Sequence, residues 1–234
     1  MQMYLWTGTP QKDGSLDNGI VSHEFAHGIS NRLTGGPSAS GCLTNAEQMG
    51  EGISDYFGIM VTQNWATSDL NTGYNSPRAV GTYAAGQPIT GRGIRTKKYC
   101  TNFAVNDKVY AQSIPAAQHD RGEIWCATLW DMTWNIINQT AHINPTLFDT
   151  SSLGGNSIAL RLVQEGMKLQ PCNPGFITGR NAILKADSIL YGGQFNCAIK
   201  EAFRRRGMGA LASEGSTNSV TDQVPDYTGG VFME

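Results

Sequence analysis

Residues 23–27 of this 234-residue chain read HEFAH, two histidines four positions apart with a glutamate after the first. On a helix of 3.6 residues per turn the two imidazoles project from one face, where both reach a single cation at about 2.0–2.1 Å. Glu24 then stands beside that cation without ligating it, the position of a general base toward an activated water. A five-letter pattern also arises by chance, so its context has to carry part of the argument. Catalytic zinc takes three protein ligands and keeps a fourth position open, which requires a further donor from elsewhere in the chain. The segment MGEGISD offers Glu51 and, four residues on along the same helical face, Asp55. Glu51 completes a His23, His27 and Glu51 set for one Zn²⁺ per chain. Asp55 accepts a hydrogen bond from the free ring nitrogen of His23 and fixes its tautomer. A solvated acidic face is the competing reading of Glu51 and Asp55, but Met49, Ile53 and Phe57 imply that the neighbouring stripe is buried.

These groups need rigid carriers. Asp17 or Asn18 is a credible N-cap for a helix running through Ile20, Phe25 and Ile29 to about residue 33, where TGGP stops it. A second helix is expected from Thr44 or Asn45 through about residue 65, with Met49, Ile53, Phe57 and Met60 at helical spacing. Residues 3–6 are strand-like and lead into the turn TGTP and a polar loop. Residues 66–116 are mostly Gly, Ser, Thr, Asn and Pro; loops of that length tend to be functional, or braced by metal or disulfide. Order returns at about residue 118, where Ile124, Leu129, Met132 and Ile136 mark a third helix. Trp125, Trp130 and Trp134 on it read as core or cleft wall. Three shorter helices, at about 155–169, 174–190 and 194–206, read as a small helical lobe, the last closed by Gly207. The expected organisation is a zinc-binding upper part (1–116), a helical C-terminal lobe (117–209) and an extended C-terminal segment (210–234), in an α+β fold that is mostly helical.

Seventeen Lys and Arg against nineteen Asp and Glu leave a charge of −2 with no basic stripe, which argues against nucleic acid and anionic membrane as partners. Charged residues make up 15% and the 28 glycines exceed the average share, giving the polar but weakly charged loops common in exported proteins. No stretch approaches the ~20 apolar residues of a membrane span, and the first residues lack a charged n-region before a long apolar one. A signal for export is therefore expected to lie outside this chain. Five cysteines without a CxxC cluster point to disulfides, with Cys172 and Cys197 the expected pair because each lies at the edge of a helix in a compact segment. The odd count leaves at least one free thiol. In DGSLDNGI, the alternation of Asp13, Ser15 and Asp17 fits either a Ca²⁺ loop or a turn capping the HEFAH helix. His142, beside Pro145, reads as a surface residue.

HEFAHGISNRLTGG followed by MGEGISDYFG resembles the active-site core of the fungalysin family, zinc proteases related to thermolysin whose third ligand is a glutamate. HDRGEIW, LWDMTWN and the stretch from CNPGFITGRNAIL to FRRRGMG resemble the same family, so the likeness covers nearly the whole chain. The resemblance implies a secreted zinc metalloendopeptidase acting on protein or peptide substrates and made with a removable propeptide. It also implies a thermolysin-like zincin core, with a short N-terminal edge strand to which an extended peptide could add, and a helical C-terminal lobe. It matches His23, His27 and Glu51 to the zinc ligands, Glu24 to the general base and Asp55 to the carboxylate behind His23. His119 matches a histidine that hydrogen-bonds the tetrahedral oxyanion. An imidazolium across from the metal would indeed stabilise charge that develops only in the transition state, while a polar helix N-terminus facing water is the plainer alternative. Arg95 resembles an arginine that helps polarise the scissile carbonyl, and an ordinary surface arginine explains it nearly as well. Two departures stand out: no tyrosine occurs among residues 28–50, where thermolysin-like enzymes carry an oxyanion donor, and only 22 residues precede HEFAH. The second suggests a pared-down catalytic unit or a processed fragment, and leaves a zinc-containing but inactive peptide-binding module as the alternative function. An aminopeptidase would need an acidic anchor for a free amine, and no clear candidate lies upstream.

Overall fold

Asp17 starts the first helix as its sequence position predicts. One carboxylate oxygen accepts the backbone N–H groups of Gly19 and Ile20, and the other accepts that of Ala84 from a distant loop. The computed structural model describes residues 1–111 and 113–229, and among these it contains six α-helices. They are α1 (Asn18–Leu33), α2 (Gly50–Thr62), α3 (Gln118–Thr140), α4 (Gly155–Leu169), α5 (Phe176–Tyr191) and α6 (Asn196–Arg205). The only sheet among the described residues is a hairpin of β1 (Leu5–Trp6) and β2 (Lys12–Asp13), with Leu5 opposite Asp13 and Trp6 opposite Lys12. The chain is thus mostly helical, and the strand expected over 3–6 is confined to its last two residues.

α3 is the central rod. It packs on α2 along one side and on α4 and α6 along the others, while α1 lies against α2. Trp125, Trp130 and Trp134 are all buried within one apolar cluster that runs from Ile20 to Ala212, so they are core. At the α2–α3 crossing two glycines meet. A Cβ at Gly52 would stand 2.4 Å from the carbonyl oxygen of Gly122, and one at Gly122 would stand 2.6 Å from the Cβ of Glu51. No larger residue fits either position, so the two backbones touch directly.

The expected start of the second helix is corrected by five residues or more. Residues 44–49 form turns because their polar groups are used elsewhere: Gln48 Oε1 accepts the Gly50 N–H, the Glu47 N–H donates to Thr217 O, and the Asn45 amide donates to the carbonyls of Pro174 and Thr217. The long segment between α2 and α3 holds two short 3₁₀ turns, Trp65–Thr67 and Gly73–Asn75, and an isolated bridge from Arg78 to Tyr99. A buried arginine braces it. Arg206 is wholly buried at the end of α6, where it donates to both oxygens of Asp131 on α3 and to the carbonyls of Cys100, Asn106 and Lys108. One guanidinium thereby closes that loop onto two helices.

The disulfide is also corrected. Cys42 pairs with Cys172, tying the turn after α1 to the loop before α5, while Cys197 is a free, exposed thiol in the first turn of α6. The loops carrying Cys42 and Cys172 are held side by side by a hydrogen bond from Asn173 N to Cys42 O. Cys100 and Cys126 are free and buried. The C-terminal segment is extended as expected, bridged at Met208–Asp226 and Ser213–Val224; its last five residues lie outside the described ones. No described helix is long and apolar enough to cross a membrane.

Candidate metal centre

α1 and α2 bring three donors to one point. His23 Nε2 lies 3.2 Å from His27 Nε2 and 3.3 Å from Glu51 Oε2, and His27 Nε2 lies 3.5 Å from Glu51 Oε1. Among the described residues, His23, His27 and Glu51 are the one group of three or more His, Cys, Asp or Glu side chains arranged to hold a metal ion. Four ligands set tetrahedrally at about 2.0–2.1 Å from an ion stand about 3.3 Å apart, so the spacing fits zinc without rearrangement. The donor chemistry fits as well. His23 Nδ1 meets Asp55 Oδ1 at 2.8 Å, which places the ring proton on Nδ1 and leaves the Nε2 lone pair facing the cluster. Two imidazole lone pairs and a carboxylate converging in a buried place favour a cation between them.

A proton on His23 Nε2 competes with a cation for the same two carboxylates. Burial disfavours the charged form of His23, yet the hydrogen bonds and charges of Asp55 and Glu51 outweigh it and hold its pKa up at about 9. Burial and the neighbouring His23 push His27 down. Glu51 and Asp55 would be raised by burial, but His23 and, for Asp55, Arg95 hold both below the usual carboxylate range, Asp55 at about 2. Both carboxylates are therefore anions at neutral pH, which is what a cation site requires.

Arg95, matched by resemblance to a carbonyl-polarising arginine with a surface arginine as the alternative, is buried beside Asp55 rather than exposed. It is 5% exposed and its guanidinium grips Asp55 through Nε at 2.6 Å and NH2 at 2.8 Å, with NH2 also 3.2 Å from Glu51 Oε2. The Tyr99 hydroxyl donates to Asp55 Oδ2, the oxygen that also accepts from Arg95 Nε. Both residues belong to a loop anchored on α3, where Glu123 accepts the N–H and hydroxyl of Thr96 at 2.6 Å each. Sequence reading missed Tyr99, Thr96 and Glu123, since nothing in their local spacing marks them as neighbours of Asp55. Tyr99 and Tyr110 are both fully buried, the second donating to Glu47, so neither occupies the position of the missing oxyanion tyrosine.

Glu24, next to His23 on α1, is exposed and lines a groove of about 730 Å³ with Met1, Gln2, Phe25, Gly28 and Ile29, a groove that none of the three donors lines. His119 rises from the first turn of α3, more than half exposed, with Nε2 3.5 Å from Glu51 Oε1. It stands three residues before Gly122, so the glycine crossing sets its approach to the metal ligand. The suspected calcium loop is accounted for by capping: Asp13 accepts from Ser15 N, and both oxygens of Asp17 are engaged by backbone N–H groups. His142 lies on the surface and bonds Ser152.

The family profile described as Fungalysin metallopeptidase (M36) matches residues 1–212. The extracellular metalloproteinase mep of Aspergillus fumigatus is 40% identical over 235 residues, covering 96% of this chain and 36% of the relative. The extracellular metalloproteinase MEP of Pyricularia oryzae is 40% identical over 234 residues (94% of this chain, 35% of the relative). A probable extracellular metalloproteinase 2 of Arthroderma benhamiae is 38% identical over 232 residues (96% and 35%). The chain therefore spans about a third of the length of the curated relatives it matches.

Proposed function

Because this chain belongs to the fungalysin metallopeptidase family, whose membership implies a metal, we propose that it carries the zinc centre of a secreted endopeptidase. The single observation behind this reading is the convergence of His23 Nε2, His27 Nε2 and Glu51 at tetrahedral spacing, with Asp55 behind His23. The names of the relatives support an extracellular location and protein substrates.

Zinc at this centre supplies a water of lowered pKa and a Lewis acid for the peptide carbonyl. Glu24, exposed to the groove, accepts the proton of the attacking water and delivers it to the leaving amine. His119, whose Nε2 lies 3.5 Å from Glu51 Oε1, donates to the oxygen on which negative charge develops. Asp55 orients His23, and Arg95 with Tyr99 holds Asp55 in turn, so Arg95 is a positioning residue here rather than a substrate contact. No covalent intermediate is needed, since no nucleophilic side chain shares the site.

Glu24→Gln tests the reading. The variant is expected to retain one zinc per chain by elemental analysis while hydrolysis of an internally quenched peptide falls by about two to four orders of magnitude. Hydrolysis of that peptide at the wild-type rate by a metal-clean variant would remove Glu24 from the mechanism. Zinc bound with no chelator-sensitive hydrolysis in the wild type would favour a peptide-binding module instead.

A further inference from the structure

A second group of oxygen donors lies away from the zinc centre, where the turn before α2, the entry to α5 and the C-terminal segment meet. Glu47 is completely buried there. Its Oε1 accepts from the Tyr110 hydroxyl at 2.6 Å and from Phe176 N at 3.4 Å, but its Oε2 has no hydrogen-bond partner among the described residues. Glu214, half-buried on the C-terminal segment, turns toward the same place, with Thr178 donating to it through both N–H and hydroxyl. Glu47 Oε2 and Glu214 Oε2 both lie within 2.7 Å of the point where a side chain would begin at Gly175, so two carboxylates converge on a position that only glycine leaves open.

Two carboxylates in such a place repel unless something positive joins them. The N-terminus of α5 offers about half a charge, too little for two anions. Arg121 of α3 is within electrostatic reach of Glu47 but makes no hydrogen bond to either carboxylate: its NH1 donates to the carbonyls of Pro115 and Ala116, and its Nε is itself without a partner. Two buried amides at the same seam independently lack partners on their oxygen ends. Asn45 uses its nitrogen to join Pro174 O and Thr217 O and leaves Oδ1 unpaired. Gln223 uses its nitrogen on Ser219 O and leaves Oε1 unpaired, one step from the Ser213–Val224 bridge and across it from Glu214. A buried carbonyl-type oxygen without a donor costs about 1–3 kcal/mol, and three at one seam are hard to explain unless they bind something.

From this arrangement we propose that Glu47, Glu214, Asn45 and Gln223 form a structural site for a hard divalent cation, Ca²⁺ by its all-oxygen donors. Carboxylate and amide oxygens without nitrogen or sulfur select against zinc and for calcium, and calcium's flexible coordination accommodates donors from three separate segments. The cation would pin the C-terminal segment and the start of α5 to the turn that leads directly into Glu51. This is independent of the catalytic reading, because none of the four residues belongs to the zinc centre.

The test uses the zinc-loaded protein. Tb³⁺, a calcium mimic, is titrated with excitation of the aromatic residues, Tyr110 being bonded to Glu47, and then displaced with Ca²⁺. Calcium is expected to quench the sensitised emission and to raise Tm by at least about 3 °C. Glu47→Gln is expected to abolish the calcium-dependent rise and to weaken Tb³⁺ binding at least tenfold, with zinc content unchanged. Glu214→Gln, at a half-buried position, makes the same comparison where Glu47→Gln folds poorly. An equal calcium response in both variants and wild type would overturn the proposal. So would a wild type that ignores calcium and instead loses stability as pH rises from 5 to 8, with that loss absent in Glu47→Gln: the two carboxylates would then share a proton.

Discussion

The cluster around His23 and the hub around Arg206 are both buried assemblies of charge, yet they are built over different ranges of the chain. His23 and Asp55 are 32 residues apart and sit on two consecutive helices, whereas Arg206 reaches Asp131 across 75 residues and Asn106 across 100. In the first, Arg95 bonds both carboxylates, while two imidazole Nε2 atoms and Glu51 stay grouped as candidate donors to a cation. In the second, a carboxylate and a guanidinium with three carbonyls complete one another, though burial still pushes the Asp131 carboxyl above its usual range. A site that binds keeps some of its electrostatic needs unmet by protein; a site that holds the fold meets them internally.

This difference predicts that damage to the hub shows in stability and damage to the cluster shows in chemistry. Arg206→Leu leaves Asp131 as a buried anion without its main partner and should destabilise the protein by about 3–5 kcal/mol in urea titrations, with zinc still bound by the fraction that folds. His119→Ala should do the reverse, lowering kcat for peptide hydrolysis by about 10²–10³ while leaving the urea midpoint and metal content close to wild type. Comparable losses of stability in both variants would erase the distinction. Cys42→Ser opens a loop closed across 130 residues and should cost about 2–4 kcal/mol, whereas Cys197→Ser should be neutral; a neutral Cys42→Ser beside a costly Cys197→Ser would restore the sequence-based pairing. Asp55→Asn stands between the two classes, because Asp55 orients a ligand and also anchors Arg95 and Tyr99. Zinc affinity should fall by about 10–100-fold in competition with a chelator, and thermal stability should fall with it.

The same contrast explains what could be read in advance. His23, His27, Glu51 and Asp55 come together because helical periodicity alone fixes which residues share a face, and Asp17 starts α1 for an equally local reason. Residues 44–49 looked helical by periodicity, but Asn45 and Glu47 are tied to Pro174 and Thr217, contacts that exist only once the distant segments have docked. The pairing of Cys42 with Cys172 and the turn of Arg95 toward Asp55 depend on tertiary approach in the same way. The long segment was expected to be functional or braced by metal or disulfide, and the arginine that ties it down comes from the far end of the chain, where no local pattern announces it.

Gly52 and Gly122 carry a consequence for anyone seeking to stabilise this molecule by design. Glycine inside a helix ordinarily invites replacement by alanine, with a gain of up to about 1 kcal/mol per position. Here that substitution would insert a methyl group between two touching backbones and drive α3 away from α2, carrying His119 away from Glu51. A propensity-guided library would rank these two positions among its best candidates, and they are the ones it should leave alone.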